Sequence, residues 1–299
     1  MIAAAPALTP TRVWWSAVRP ATLAASVAPV LVGTAIAVHD GGPRLGAGLL
    51  ALLVGIAMQL GVNFANDYSD HVRGADSPRR VGPVRAASSG VVRPEDVRRA
   101  AVAAFGVAAI AGLILSGITD WRLVFVGVAC LLAGWLYTGG PRPYGYLGLG
   151  EVFVFVFFGL VATVGTVYVE TLRVAPISIL VGCAMGCLAT AILVLNNLRD
   201  LDTDLAAGKL TLATRIGRRR TRILLLGLVC VAFAIPVALL VLKLAPVAVV
   251  VVLFAIRIAA APVRAAFGTA AAPPLVSALK RMAIAELAYA LLFSLGLLL

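Results

Sequence analysis

Nine apolar stretches, each about as long as a membrane span, constrain the fold of this chain more than any other feature. A helix needs about 20 mostly apolar residues to cross the hydrocarbon core of a bilayer. The stretches cover approximately residues 17–38, 46–68, 98–118, 121–139, 150–169, 175–197, 221–241, 244–267 and 281–299. Two longer polar stretches, 69–97 and 198–220, interrupt them. We therefore expect an all-α polytopic membrane protein with nine transmembrane helices, and residues 1–299 forming one membrane domain.

The composition of the chain agrees with helices that face lipid. Of its 299 residues, 62% are hydrophobic and 13% are charged. A soluble domain contains about 45–50% apolar and about 25% charged residues. The apolar excess is too large for a single buried core, which excludes an ordinary soluble domain.

The basic residues predict the orientation in the membrane. With the N-terminus inside, 21 of the 25 Lys and Arg residues fall on the cytoplasmic side of the nine spans and 4 fall outside. This asymmetry is typical of membrane proteins, and it accounts for the net charge of +12 without nucleic acid. No basic stretch carries the interleaved aromatics that stack on single-stranded nucleic acid. We expect both long polar stretches to be cytoplasmic and no nucleic acid to bind.

Polar residues cluster at the ends of the second and sixth predicted spans. The first cluster comprises Asn63, Asn66, Asp67 and Asp70. The second comprises Asn197, Asp200 and Asp204. Spacings of three, four and seven residues place side chains on one face of a helix. The two clusters therefore form a weak internal repeat, four spans apart.

The carboxylates in these clusters need a cation nearby. Acidic side chains on one helix face repel each other and are costly near lipid. Mg²⁺ is a natural partner because it prefers hard oxygen ligands and binds one or two carboxylates together with substrate phosphates. Two such faces across a cavity would hold a diphosphate between metal ions. The alternatives are solvated helix ends with capping Asp residues, and the ion path of a cation transporter.

Basic residues and a Gly/Pro-rich loop accompany the clusters. The basic residues after the first cluster include Arg73, Arg79, Arg80 and Arg85. Lys209 lies in a Gly-containing turn five residues after Asp204, close enough to reach the same phosphate. The loop 137–151 contains three tyrosines, whose ring faces can stabilise a cation, although tyrosines are also common at membrane interfaces. Glu151 stands at the mouth of an apolar span, which favours a functional role.

These motifs resemble those of the UbiA superfamily of intramembrane prenyltransferases. The first superfamily motif is Asn-Asp-x-x-Asp-x-x-x-Asp. Asn66, Asp67 and Asp70 match it, but Gly74 replaces the last Asp and Asp76 follows two residues later. The similarity begins at Arg19-Pro20-Ala21-Thr22-Leu23 and covers nearly the whole chain.

The second superfamily motif is Asp-x-x-Asp-x-x-x-Asp. Asp200 and Asp204 match it, and Asn197 replaces the first Asp. Both departures resemble the branch of the superfamily that acts on 1,4-dihydroxy-2-naphthoate. The resemblance thus selects an acceptor that the spacing of the residues alone leaves open.

The resemblance implies nine helices around a central cavity and a Mg²⁺-dependent reaction. A polyprenyl group would pass from polyprenyl diphosphate to 1,4-dihydroxy-2-naphthoate, with loss of CO₂ and diphosphate. Another aromatic acceptor, such as 4-hydroxybenzoate, is the alternative within the family. A cation-coupled transporter is the alternative outside it, but a transporter is expected to have spans broken near the bilayer midplane rather than polar clusters at span ends.

The sequence and the resemblance together give a set of expected site residues. The expected catalytic residues are Asn66, Asp67, Asp70, Tyr137, Asp200 and Asp204. The expected substrate-binding residues are Asn63, Arg73, Arg142, Tyr144, Tyr146, Glu151 and Lys209. The expected Mg²⁺ ligands are Asn66, Asp70, Asn197, Asp200 and Asp204.

Overall fold

The fold is helical throughout the part of the chain that can be described. The computed structural model describes residues 8–74, 82–268 and 271–299, and these ranges contain helices and turns but no strand. The expected all-α class is confirmed.

The helices follow one another with short connections. Their bounds are α1 Pro10–Val18, α2 Pro20–His39, α3 Leu45–Val72, α4 Pro94–Ile118, α5 Leu123–Leu136, α6 Gly150–Val154, α7 Ala162–Thr171, α8 Pro176–Ala206, α9 Leu212–Val241, α10 Ile256–Gly268 and α11 Ala272–Leu298. A π-helical segment, Phe155–Val161, joins α6 to α7. Two 3₁₀ segments, Tyr144–Leu147 and Val247–Ala255, precede α6 and α10.

Eight helical stretches within the described ranges are long and apolar enough to cross a membrane. The chain is therefore a multi-pass membrane protein. The expected count of nine differs by one at the stretch 121–139, where the apolar helix α5 has only 14 residues. Such a helix is about 21 Å long, short of the roughly 30 Å hydrocarbon core. The apolar pattern did not reveal that the helix stops at Leu136, before a Gly/Pro-rich loop.

The helices that carry the polar clusters extend past their predicted ends. Helix α3 continues to Val72, and α8 continues to Ala206, beyond the expected limit at residue 197. Both clusters therefore lie on the last turns of helices, not in loops. The last helix begins at Ala272 and not near residue 281, because Lys280 and Arg281 are tolerated inside it.

Helix α8 lies at the centre of the main core. Its side chains pack with those of α2, α9 and α11 in one continuous apolar cluster. The π-helical segment lies directly on α8, since a Cβ added at Gly159 would be 2.4 Å from the Cα of Gly186. Only glycine permits backbones to approach this closely. This contact fixes the position of α6 and α7 beside α8.

The junction between α1 and α2 is tied to α3. Arg19 adopts a left-handed backbone conformation with φ of 51°, which breaks the helix at this residue. The amide of Asn63 donates a hydrogen bond to the carbonyl oxygen of Val18 at 2.8 Å. A buried amide in an apolar span thus holds the start of the first long helix.

Candidate active site

A cavity of about 490 Å³ lies among α2, α3, α4, α5, α6, α7 and α8. One part of its wall is polar and contains the expected ligand residues Asn66, Asp70, Asn197, Asp200 and Asp204. Much of the remaining wall is apolar, with Leu113, Leu131, Phe157 and Phe158 among its residues. The cavity therefore has a charged end and an apolar part that suits a hydrocarbon chain.

Asp70 on α3 contacts side chains from several other segments of the chain. It is 3% exposed, and its Oδ2 accepts a hydrogen bond from Nη2 of Arg85 at 2.7 Å. Its Oδ1 accepts from the hydroxyl of Tyr146 at 2.6 Å and lies 3.8 Å from Nζ of Lys209. Two hydrogen bonds and one nearby cation, from three different segments of the chain, thus surround one carboxylate.

The α8 face of the cavity has its own polar contacts. Arg199 donates to both carboxylate oxygens of Asp200, from Nε at 2.7 Å and from Nη2 at 2.5 Å. The amide of Asn197 donates to Oε1 of Glu151 at 2.9 Å. Glu151 is buried and contacts the site through Asn197. The two polar clusters predicted from the sequence therefore line the same cavity.

Asp67 differs from its neighbours because it does not line the cavity. It is fully buried, and its carboxylate accepts hydrogen bonds from the backbone N–H groups of Ala86 and Ala87 at 2.9 and 3.3 Å. These contacts hold the loop that carries Arg85. Asn66, one residue earlier, lines the cavity and accepts a hydrogen bond from the hydroxyl of Thr138 at 2.7 Å.

Tyr146 lies between the carboxylate of Asp70 and two cations. Nζ of Lys209 is 4.7 Å from the ring centroid, and Cζ of Arg73 is 5.7 Å from it. Arg73 also donates to the carbonyl oxygen of Gly140. Burial, followed by the nearby charge of Asp70, raises the pKa of Tyr146 above its ordinary value. The hydroxyl therefore stays protonated at neutral pH and acts as a donor.

Tyr137 and Tyr144 form part of the cavity wall. Burial, followed by the charge of Glu151, raises the pKa of Tyr137, and burial raises that of Tyr144. The hydroxyl of Tyr144 donates to the carbonyl oxygen of Ala133 at 2.7 Å, and its ring stacks on Phe153 with centroids 3.9 Å apart. Both rings are fixed and neutral beside the polar end.

The sequence matches the profile of the UbiA prenyltransferase family over residues 26–296. The chain belongs to the UbiA prenyltransferase family. Two relatives named 1,4-dihydroxy-2-naphthoate octaprenyltransferase are among the similar proteins. The one from Mycobacterium tuberculosis (strain ATCC 25618 / H37Rv) is 48% identical, covering 73% of this chain and 75% of the relative. The one from Mycobacterium leprae (strain TN) is 45% identical, covering 76% of this chain and 77% of the relative.

A solved structure has the same fold. It is a UbiA homolog from Archaeoglobus fulgidus bound to GPP and Mg²⁺, with a TM-score of 0.62 and 13% sequence identity. The alignment covers 94% of this chain and 99% of that chain. The helical arrangement of this UbiA-family chain is therefore shared with a distant homolog.

Some expected residues lie apart from the charged end. Arg142 is exposed and does not line the cavity. Asn63 lines it one turn before Asn66, with its amide donating to Val18 and Thr22. Asp76, Arg79 and Arg80 lie outside the described residues.

Sequence reasoning did not single out several residues that contact the site. These are Gln59, Arg85, Thr138 and Arg199. Gln59 was detectable in principle, because it continues the Asn63 face by one turn. Nothing in the spacing distinguishes Arg85 from the other basic residues of its loop.

The oxygen atoms at the charged end are of the type that a divalent metal prefers, but they do not form a closed cage. Within residues 8–74, 82–268 and 271–299, no three His, Cys, Asp or Glu side chains converge on one point. A metal ion here would have one or two carboxylate ligands from the protein and would need further oxygens from a bound anion or water. That arrangement is the usual one for Mg²⁺ bound with a substrate phosphate.

Proposed function

We propose that this UbiA-family enzyme transfers a polyprenyl group from polyprenyl diphosphate to 1,4-dihydroxy-2-naphthoate. The reaction releases CO₂ and diphosphate and gives demethylmenaquinol, which oxidises to demethylmenaquinone in menaquinone biosynthesis. The observation that carries the proposal is one cavity with Asp70, Asp200, Arg85 and Lys209 at its charged end and an apolar wall beyond them. The two relatives of that name, at 48% and 45% identity, support the choice of acceptor.

We infer that Mg²⁺ is the cofactor and that Asn66, Asp70, Asn197, Asp200 and Asp204 supply its protein ligands. Carboxylate and amide oxygens from two facing helices suit this ion, and diphosphate oxygens and water would complete its coordination. When bound, Mg²⁺ stabilises the negative charge that develops on the leaving diphosphate. The homolog bound to GPP and Mg²⁺ supports the same choice of metal.

The basic residues at the charged end would bind the diphosphate. Arg85 and Lys209 both contact Asp70 in the structure, at 2.7 and 3.8 Å, so they lie beside the position that an anion would take. Arginine forms paired hydrogen bonds with phosphate oxygens, and lysine acts as a point charge. Asp67 acts by holding the loop of Arg85, which makes it a positioning residue.

The apolar part of the cavity would bind the prenyl chain and exclude water. Loss of diphosphate leaves an allylic cation, which water would capture. Tyr137 and Tyr144 line the cavity, and an aromatic ring whose face meets that cation can stabilise it. The electron-rich ring carbon that bears the carboxylate then attacks it in a dry site.

An assay of purified protein tests the proposal. We expect a polyprenyl diphosphate and Mg²⁺ to support prenylation of 1,4-dihydroxy-2-naphthoate, with 4-hydroxybenzoate at most a poor acceptor. Excess EDTA should abolish turnover, and added Mg²⁺ should restore it. Equal turnover of both acceptors would contradict the proposed acceptor, and full turnover in EDTA would contradict the metal.

We infer that the chain forms a single membrane domain whose charged end faces the cytoplasm. Arg85 and Lys209, one from each of the two long polar stretches, lie at this end beside Asp70. Of the 25 Lys and Arg residues, 21 fall on the same side of the nine predicted stretches. This asymmetry supports a cytoplasmic N-terminus. Substrates made in the cytoplasm would then reach the site without crossing the membrane.

A further inference from the structure

A polar seam runs along the cavity wall between α2 and α3. It consists of Thr22, Gln59 and Asn63, all of which line the cavity. Gln59 and Asn63 are 6% and 2% exposed. Buried polar groups inside an apolar bundle are costly unless they are hydrogen-bonded or bind a ligand. Each donor and acceptor of the seam should therefore have a partner, either in the protein or in a ligand.

Every donor of the seam is already used. Nε2 of Gln59 donates to Oγ1 of Thr22 at 3.2 Å and to Oδ1 of Asn63 at 3.0 Å. Nδ2 of Asn63 donates to Oγ1 of Thr22 at 3.0 Å and to the carbonyl oxygen of Val18 at 2.8 Å. The hydroxyl of Thr22 donates to the carbonyl oxygen of Arg19 at 2.9 Å.

This network also fixes the orientation of the Gln59 amide. Turning the amide over would place its oxygen against the oxygens of Thr22 and Asn63 and would lose both hydrogen bonds. The amide oxygen, Oε1, accepts no hydrogen bond from any residue within the described ranges. The seam therefore has one free hydrogen-bond acceptor, Oε1 of Gln59, and no free donor for a ligand in the cavity.

Among the proposed substrates, only one group can satisfy such an acceptor. An ionised carboxylate, an ionised diphosphate and a prenyl chain carry no hydrogen-bond donor, whereas the ring hydroxyls of the aromatic acceptor do. The hydroxyl at C1 is adjacent to the carboxylate and bonds to it within the molecule. The hydroxyl at C4 remains free to donate.

The position of the seam suits the acceptor ring. Gln59 precedes Asn66 by seven residues on α3, which is about 10 Å along the helix axis. The C4 hydroxyl and the reacting carbon are meta to each other on one ring, so the ring covers only part of this distance. A hydrogen bond of about 2.8 Å to the seam and a gap of about 3–3.5 Å between the reacting carbon and the prenyl carbon cover the rest. The prenyl carbon can then lie near the charged end while the C4 hydroxyl meets the seam.

A second unused polar group lies one turn deeper in α2. Ser26 is 2% exposed and lines the cavity, and its buried hydroxyl has no hydrogen-bond partner among the residues that the structure describes. It is next to Gly55, one turn before Gln59 on α3, where an added Cβ would lie 3.7 Å from Cβ of Ser26. A turn of the χ1 angle of Ser26 would let its hydroxyl donate to the same ring hydroxyl that donates to Gln59.

We propose that Gln59 and Ser26 form the subsite that recognises the C4 hydroxyl of the acceptor and so select a 1,4-dihydroxylated ring. This inference rests on the proposed function. Gln59 Oε1 accepts from the hydroxyl, Ser26 donates to its oxygen, and Thr22 and Asn63 hold Gln59 in place. Neither residue belongs to the acidic motifs.

The test compares two acceptors that differ only in this group, 1,4-dihydroxy-2-naphthoate and 1-hydroxy-2-naphthoate. The C4 hydroxyl is meta to the reacting carbon, so its removal changes the activation of that carbon little. The ratio of kcat/KM for the two acceptors is measured in the wild type, Gln59→Leu and Ser26→Ala. If 1-hydroxy-2-naphthoate is not turned over, its inhibition constant is measured instead. The preference is then the ratio of this inhibition constant to the KM for 1,4-dihydroxy-2-naphthoate.

We expect each substitution to reduce the preference for the dihydroxylated acceptor by roughly three- to tenfold, the effect of one hydrogen bond. Ser294→Ala is the matched control, because this hydroxyl on α11 is also buried and without a partner among the described residues but does not line the cavity. It should leave the preference unchanged.

The outcomes separate the subsite from the reaction itself. A wild type that does not prenylate 1,4-dihydroxy-2-naphthoate contradicts the proposed function. A wild type that does so, with an unchanged preference in folded Gln59→Leu and in Ser26→Ala, overturns the subsite alone. If Gln59→Leu fails to fold, as judged by gel filtration and thermal melting, Ser26→Ala decides the question.

Discussion

Asp70 and Asp67 show how adjacent acids in one motif come to have different surroundings. Asp70 points towards Arg85, Tyr146 and Lys209 at the end of the cavity. Asp67 lies on the same helix but accepts from two backbone N–H groups away from the cavity. A carboxylate that accepts from a loop backbone stabilises that loop, whereas one paired with side-chain cations can bind a metal ion when those cations turn to a bound anion.

Loss of an expected ligand should therefore abolish most of the turnover. We expect Asp70→Asn and Asp200→Asn to reduce kcat by about a hundredfold or more, since losing about 2.7 kcal/mol or more of stabilisation of the leaving group has this effect. Asp202→Asn is the control, because its side chain is 79% exposed and pairs with Arg218. Equal losses in all three variants would show that the effect is structural.

Substitution of Asp67 should act mainly on stability. We expect Asp67→Ala to lower the free energy of unfolding by about 1–3 kcal/mol, because two buried N–H groups lose their acceptor. It should also raise the KM for the prenyl diphosphate, since the loop carries Arg85. Thermal melting in detergent and steady-state kinetics measure the two effects.

Asp96→Ala is the matched control for Asp67→Ala. Its carboxylate pairs with the exposed arginines Arg93 and Arg99, and surface ion pairs contribute little to stability. A melting temperature lowered equally by both substitutions would contradict the positioning role of Asp67.

At the scale of elements, the contact between the π-helical segment and α8 shapes the cavity. Phe157 and Phe158 of this segment line the cavity, while Gly159 lies on Gly182 and Gly186 of α8. The extra residue per turn of a π-helix turns side chains away from their usual faces. The close backbone contact therefore determines where the two aromatic rings point.

A methyl group at this contact should disturb both packing and activity. We expect Gly159→Ala to lower the melting temperature and turnover, since the added Cβ would lie 2.6 Å from the carbonyl oxygen of Gly182 and overpacking typically costs about 1–3 kcal/mol. Gly227→Ala in α9 is the control, because nothing lies within 4 Å of its added Cβ. Identical melting curves for the two variants would contradict the packing account.

The sequence predicts the elements better than it predicts the contacts between them. Apolar runs located the long helices, and helical spacing identified the two faces that share the cavity, because both signals are local. The short α5 and the π-helical segment have no such local signal. The approach of Arg85 to Asp70 depends on how a loop folds back onto α3, so no spacing rule could have identified it.

At the scale of the whole molecule, the orientation in the membrane follows from charge. We expect single cysteines at Arg142 and Arg219, in a background without the native cysteines, to react with an impermeant thiol reagent only after the cells are permeabilised. Both side chains are exposed and lie on the predicted cytoplasmic side. A cysteine at Arg173, which is exposed on the opposite side, should react in intact cells. The reverse pattern would contradict the orientation.

The enzyme is expected to join a prenyl cation to the ring carbon that bears the carboxylate of 1,4-dihydroxy-2-naphthoate. Acceptor labelled in its carboxylate carbon tests this directly with purified protein, a polyprenyl diphosphate and Mg²⁺. We expect one labelled CO₂ to be released for each prenylated product formed, and the product to be free of label. A prenylated product that keeps the label would contradict it.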